Sequence, residues 1–461
     1  PDPRQVITHL EAALQLTADV VEQAGLLAEL TGTYERSGNH QGVFDATNRQ
    51  AEGLVATQPR RAAELHFRNA RLALEQLGTV DVALKSAKRA LELAKDATEI
   101  RGFIADIYSR TPNQHAQAVE EHRRVLRAGR VRLPSLKALF RGFSQQRVHD
   151  GAFCVAELLS FLAASDDGEE LFFGDNKKRV KKESTVELDV GQVTSLVAHP
   201  SQRNVVREIL AAVAVDLAKP LAATDLEVLD KKLVLRPKAA DPLRTLADNM
   251  AQNLGVTGFD VWRSQVKKSG VDAIVAVPLV LLVGGDVTRT HPNREQRFLI
   301  GRGLMAFASG HHLLRGVDGR GLATLLSAVG RSIDKAFPLL GQVDAGEVDA
   351  LVKRVGGAIS RKVKGQLTEP LARLAAAPRV DFDAYMAAVP LSENRAGLLL
   401  AGAFDAAARL VARDTGVTLA GDTNAMIAAL ESNPRLVDLV AFSLSEEHFQ
   451  ARQALKLAID A

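Results

Sequence analysis

The chain has 461 residues, enough for two or three domains at roughly 100–200 residues each. Its apolar fraction is 46%, its charged fraction 25% and its aromatic fraction only 5%, a mixture that favours packed helices over sandwiches or barrels, whose strand faces draw on aromatic and β-branched side chains. With 58 basic and 55 acidic residues the net charge is +3, which excludes a general field for nucleic acid or anionic lipid, and a single cysteine, Cys154, excludes an intramolecular disulfide or a cysteine-rich zinc module.

The chain opens Pro-Asp-Pro-Arg, without an initiating methionine, a basic n-region or an apolar h-region. It therefore reads as a processed chain or as a piece of a longer one. The longest apolar stretch, Ala273 to Val283, is about half the roughly 20 residues that a spanning helix needs. No membrane span is expected, and a reducing, cytoplasmic compartment fits the cysteine usage best.

Three segments of the N-terminal third align with one another: Asp81 to Leu84 with Ala87, Ala90 and Leu91; Gln117 to Val119 with His122, Val125 and Leu126; and Asp150 to Phe153 with Ala156 and Leu159. Their small anchors, Ala83, Ala118 and Ala152, are spaced by 35 and 34 residues. A looser copy begins at Gly42-Val43-Phe44, and each copy follows another helix-like segment, such as 26–34, 65–77 or 100–108. A small side chain opening the second helix lets the two helices of a hairpin approach closely. The spacing and the anchor together resemble the tetratricopeptide repeat over roughly residues 20–165. Most of the Trp, Tyr and Pro markers of that repeat are missing, which leaves other helical-hairpin repeats open. Such repeats bury their faces only by stacking, and the stack exposes a groove for a peptide or partner protein. Cys154 sits inside the third copy, near His149, and reads as a packing residue rather than a nucleophile.

Ser165 to Gly168 closes the array, and Gly174 through Lys182 is a polar stretch with five basic residues. It is short and lacks interleaved aromatics, so it reads as a solvated linker and not as a nucleic-acid contact. Helical periodicity returns at Val205, Ile209, Leu210, Val213 and Leu217, with Ser201 as the expected cap.

Asp241-Pro242 opens a further amphipathic helix. A strand-like run follows at 259–264, then apolar runs at 271–277 and 279–283. Pro278 marks the second of these as an edge or bulged strand. A helix is expected from Arg294 to Phe307, and further helices at 321–336, 346–362, 367–376, 393–413, 423–430 and 446–459. Ser445 is expected to cap the last of them.

Within this half, Glu295 and Ser309-Gly310-His311 bracket the 294–307 helix, and Ser392-Glu393-Asn394-Arg395-Ala396-Gly397-Leu398-Leu399 lies farther on. Together, over roughly residues 240–410, they resemble zinc peptidases of the HtpX and CAAX-prenyl-endopeptidase type. That family carries HExxH followed by Ser-Gly-His, and a SADRAGLL segment after the third metal ligand; Asn394 stands where the family has Asp. The resemblance implies a site in which two histidines one turn apart hold zinc and a glutamate polarises water. On that register the two histidines, the catalytic glutamate and the third ligand fall on Arg302, Ala306, Gly303 and Pro390. None offers a donor to a cation, and arginine repels one. No catalytic residue, metal or cofactor is therefore expected.

The other histidines offer no substitute pair. His311 and His312 are adjacent, so on a helix they would point about 100° apart. Neither Gly284-Gly285-Asp286 nor Gly301-Arg302-Gly303 fits a nucleotide-binding glycine motif.

These observations lead to a mostly α protein: a helical-hairpin solenoid over 1–165, a polar linker over 166–199, and a degenerate zinc-peptidase-like α+β domain with a small sheet and a C-terminal helical extension over 200–461. The expected function is a non-catalytic interaction or scaffold protein, its repeat groove binding a protein partner and its inactive peptidase-like domain serving as a second docking module. The alternative is an enzyme of another class, drawing on Asp260, Asp286, Arg302 and His311 in a C-terminal pocket.

Overall fold

The computed structural model describes residues 2–181, 184, 190–222, 234–235, 241–377 and 380–459. The architecture is mostly α, with 23 α-helices and one small four-stranded mixed sheet among the described residues. No helix among them is long and apolar enough to cross a membrane. The chain divides into two compact units, Pro1–Val148 and His149–Ala461.

The first unit is a run of eight helices, each packed against the next in chain order: α1 (Pro3–Leu16), α2 (Val20–Arg36), α3 (His40–Leu54), α4 (Pro59–Glu75), α5 (Val80–Leu93), α6 (Thr98–Arg110), α7 (His115–Arg127) and α8 (Leu133–Gln145). Local chemistry sets their starts. The Asp19 carboxylate accepts from the amides of Val21 and Glu22, Asn39 accepts from Gly42, and Pro59 occupies the first turn of α4. Small residues then set how closely the helices approach. Ala87 and Ala90 of α5 are fully buried with Ala70, Ile100 and Ile104, and Ala83 with Ala73 and Ile107. A Cβ on Gly42 would sit 2.6 Å from the Tyr34 ring, so only glycine allows α2 and α3 to meet there. Ala118, in α7, is buried as well.

The third anchor, Ala152, lies in α9 (His149–Phe161), which belongs to the second unit rather than closing the first. Apart from Glu157, every residue of α9 from Asp150 to Leu159 is buried. A helix covered all round needs partners on several sides, and α9 finds them in α10 (Asp167–Lys177) and α20 (Phe404–Thr415).

The stretch expected as a linker is also built into this unit. Helix α10 starts with a capping box between Asp166 and Glu169, and α11 (Val190–Val197) buries Val193 and Val197. Lys182 lies outside the described residues. Helix α12 (Val205–Val213) is capped by Asn204, whose side chain accepts from Val206 N, not by Ser201, which is held in a 3-10 turn over Pro200–Gln202.

The sheet comprises β1 (Val234–Leu235), β2 (Phe259–Arg263), β3 (Val271–Ile274) and β4 (Leu279–Val283) in the order β1-β2-β4-β3. Strand β4 is parallel to β2 and antiparallel to β3. It is therefore an interior strand, contrary to the edge position inferred from Pro278. That proline precedes β4 in a cis Val277–Pro278 turn, where no ladder amide is lost, and β1 and β3 are the edges.

The other helices of this unit are α13 (Pro242–Leu254), α14 (Val287–Thr290), α15 (Asn293–Ala308), which packs on β3 and β4, α16 (Gly319–Ile333), α17 (Ala345–Val355), α18 (Arg361–Ala376), α19 (Phe382–Ala401), α21 (Thr423–Glu431), α22 (Pro434–Ser443) and α23 (Glu446–Ala454). As expected, the Asp241 carboxylate caps α13 and the Ser445 hydroxyl caps α23. The helix expected over 393–413 is two helices. α19 starts eleven residues earlier than expected, at Phe382, runs through Pro390, and ends at Gly402 in a left-handed conformation. Helices α15 and α19 form the centre of the unit. A Cβ on Gly301 would lie 3.1 Å from Gly397 Cα, and one on Gly397 would lie 2.8 Å from Phe298, so paired glycines bring the two backbones together.

Candidate functional site

The four positions that the resemblance aligns with ligands and base fall on α15 and α19. The Arg302 guanidinium donates to Asp414 of α20 at 2.6 Å and lies 5.7 Å from the centre of the Phe298 ring. Gly303 packs on the sheet: a Cβ there would be 2.5 Å from Leu281 Cδ1. Ala306 is buried, and its carbonyl faces His312 Nδ1 at 3.0 Å. Pro390 is inside α19. A salt-bridged guanidinium, a packed hydrogen, a methyl and a pyrrolidine ring do not fit a zinc ion.

A cavity of about 150 Å³ lies beside these residues, with Asp272, His311, His312, Arg315 and Glu393 in its wall. Most of its side chains have partners elsewhere in the protein, while neither ring nitrogen of His311 has a hydrogen-bond partner. Lys267 donates to Asp272 at 2.5 Å, and Arg315 pairs with it at 3.1 Å; burial, the largest single effect, pushes the Asp272 carboxyl up, and the two cations together overcome it and hold it below its ordinary value. His312 is wedged between the carbonyls of Ala306 and Ala214, and burial lowers its pKa. His311 has a fully buried side chain 3.5 Å from Glu393 and meets the Tyr385 ring edge-on at 6.4 Å. Gly310 sets this geometry: with φ +71°, it approaches the Leu210 carbonyl so closely that a Cβ would lie 2.5 Å from the oxygen. The adjacent histidines thus turn to different partners. Among the described residues, no group of three or more His, Cys, Asp or Glu side chains could hold a metal ion. Of the four residues considered for another enzyme class, Arg302 and His311 share this cavity. Asp286 pairs instead with Arg289, and Asp260 lies on β2.

The 392–399 segment is used for packing. Ser392 donates to Gln202 at 2.5 Å and accepts from His199 N, which ties α19 to the 3-10 turn. Arg395 forms a two-pronged pair with Asp438 of α22 and stacks 4.9 Å from the Phe442 ring centre. Asn394 is buried, and its Oδ1 accepts no hydrogen bond.

Sequence reasoning missed a second buried pair. Arg452 of α23 donates twice to Asp150 of α9, each at 2.8 Å, and Asp150 also accepts from Ile459 N. Arg452 is 2% exposed, and its charge is held more firmly than usual by Cys154, Asp150 and Glu157 despite burial. Cys154 lies beside this pair, buried, and burial pushes its thiol pKa up, the opposite of what activates a nucleophile.

In the first unit, an open groove of about 740 Å³ runs between α3 and α5 across α4. Phe44 and Leu84 give it an apolar floor. Glu52, Lys85, Lys88, Arg89 and Glu92 supply charges of both signs, and Arg89 bridges Glu52 at 3.3 Å and Glu92 at 3.2 Å. His66 lies at its base, 3.4 Å from Glu52, with its pKa lowered by burial.

No family model matches the chain, and no curated protein matches it.

Proposed function

We propose that this chain is a non-catalytic protein–protein interaction scaffold. The groove across α3, α4 and α5 takes a segment of a partner protein, and the second unit is an inactive peptidase-like module that offers a second docking surface. The reading is carried by the chemistry at the four expected ligand positions, where Arg302 is neutralised by Asp414 and Gly303 is packed against Leu281. The groove supports the other half: its apolar floor and balanced charged rim suit a segment of mixed composition, and the helix-on-helix stacking beneath it is the architecture that exposes such grooves.

Photo-crosslinking in the native cell tests this reading, using the full chain with a crosslinking residue at Lys88 in the groove and, as control, at Arg71 on the exposed side of α4. The expected result is a discrete adduct from position 88 that is lost on Lys85→Glu with Arg89→Glu. No adduct at 88, or an adduct indifferent to the reversed charges, overturns the role given to the groove.

A further inference from the structure

A second pocket in the His149–Ala461 unit lies away from the α15–α19 cavity and is unrelated to the lost zinc positions. Its volume is about 500 Å³, within the range of small-molecule sites. Helix α9 contributes Phe153, Glu157 and Phe161, spaced one turn apart on one face, and α10 contributes Phe173 and Lys177. Arg294 enters from the first turn of α15, and the start of α20 closes the far side. Two aromatic pairs support the apolar side: Phe153 and Phe173 lie 5.5 Å apart, and Phe161 meets Phe404, outside the lining, at 5.3 Å.

Three carboxylates (Glu157, Glu295, Asp405) and three cations (Lys177, Arg294, Arg409) line the pocket, but they are not all paired with one another. Asp405 is taken by Arg409 at 2.5 Å, and Glu295 by His291 at 2.6 Å. Lys177 lies over the Phe173 ring at 5.2 Å, and Arg294 donates to the Ala401 carbonyl. Neither cation has a carboxylate within ion-pair distance among the described residues. Glu157 accepts from Phe404 N at 3.1 Å, which caps α20 in place of an N-cap side chain. Its carboxyl is otherwise directed to the pocket.

We propose that this pocket binds an amphipathic monocarboxylate, whose head group is held by Lys177, Arg294 and the Glu157 carboxyl and whose apolar body lies on Phe153, Phe161 and Phe173. The head group meets two cations and the N-terminal end of a helix, each of which favours an anion. A ligand cation would face Lys177 and Arg294, which repel it.

The ligand carboxylate needs a proton on Glu157, and the surroundings supply one near neutrality. Burial pushes Glu157 up to about 7, against the opposing pull of the Phe404 amide, Arg452 of α23, Arg294 of α15 and Lys177 of α10. Asp150 lies two turns away on its own helix, bound by Arg452, and the α20 pair Asp405 and Arg409 faces the pocket rim. Below neutrality Glu157 donates a hydrogen bond to the ligand; above it, the ionised carboxyl repels the ligand and competes for both cations. Binding therefore strengthens as pH falls.

The test is calorimetric titration of the full chain with octanoate and, separately, with octylammonium, at about pH 6 and about pH 8. Octanoate is expected to bind more tightly at the lower pH, and octylammonium not to bind. Glu157→Gln, which keeps a donor at every pH, is expected to level the octanoate affinities. Lys177→Gln, a change at an exposed residue that leaves the fold intact, is expected to weaken octanoate about tenfold, as loss of one charge-assisted contact does. The proposal is overturned by octanoate failing to bind wild type at either pH, by octylammonium binding instead, by a pH dependence that survives Glu157→Gln, or by an affinity unchanged in Lys177→Gln.

Discussion

The two units of this chain differ in how deeply they bury their ion pairs. In the helical array the ion pairs stay in reach of solvent: Arg49 reaches Glu11 with both side chains more than a third exposed, Arg71 pairs with Glu75 one turn along α4, and the more enclosed Arg101–Glu121 pair is still 21% and 15% exposed. The interior there is alanine on leucine, and helix spacing is decided by small residues such as Ala87, Ala90 and Gly42. In the second unit, exposed pairs such as Arg320–Glu347 are accompanied by two that act as interior bolts. Arg452–Asp150 joins α23 to α9, and Arg395–Asp438 joins α19 to α22, each across a long stretch of chain. The contrast teaches that a stack of local contacts needs no buried charge to fix its register. A unit whose ends must find one another depends on a few pairs that cannot be halved without leaving a charge stranded.

That contrast can be broken most forcefully at Asp150. Asp150→Ala leaves the Arg452 guanidinium buried and unpaired and is expected to cost about 3–5 kcal/mol in urea unfolding. The double change with Arg452→Met should recover much of the loss. A cost near that of a surface pair would show that the bolt carries nothing.

Glu157 gives the next largest effect. Its folded pKa is raised from 4.5 to about 7, so the neutral carboxyl is the form the fold favours. Its contribution is complete below the unfolded pKa and is lost as pH rises through the folded one. Glu157→Gln should therefore stabilise the protein at about pH 8, by up to roughly 3 kcal/mol, and give no gain at about pH 4. Thermal unfolding at the two pH values checks the sign; a gain at the acid end would reverse it. The array carries the opposite case in His122, which burial lowers to about 4. Its contribution is present above the unfolded value of 6.5 and fades as pH falls toward the folded one.

Gly303→Ala is expected to cost about 1–3 kcal/mol by overpacking against Leu281. Leu281→Ala in the same chain should relieve part of that strain, and if the two costs simply add, the contact is not the cause. Arg49→Ala, at the exposed end of the scale, should cost below about 1 kcal/mol, with high salt removing the difference.

The helices were legible wherever local rules act alone. The caps at Asp241 and Ser445, the 294–307 helix and the buried anchors Ala83 and Ala118 all follow from spacing and side-chain type. What escaped depends on partners distant in sequence. Helix α19 runs through Pro390, which lies outside the helix expected from 393. Gly402 breaks what reads as one helix, and nothing at that position distinguishes it from Gly397, which packs inside the same helix. The order of the sheet could not be read from Pro278, since a proline just before a strand spares the ladder that one inside it would interrupt. At the candidate site, the absence of donors at Arg302, Gly303, Ala306 and Pro390 was readable from residue type. The partners that fill their places, Asp414 and Leu281, were not, because no spacing rule links them. Nor does any rule link Asp150 to Arg452 or Glu157 to Phe404.

The central claim, that the α15–α19 region serves packing rather than metal chemistry, is tested most directly by zinc analysis of the full chain after incubation with zinc and exhaustive dialysis. The expected result is zinc far below one equivalent, unchanged by His311→Ala. One equivalent that survives dialysis and is lost on His311→Ala or Glu393→Ala would contradict it.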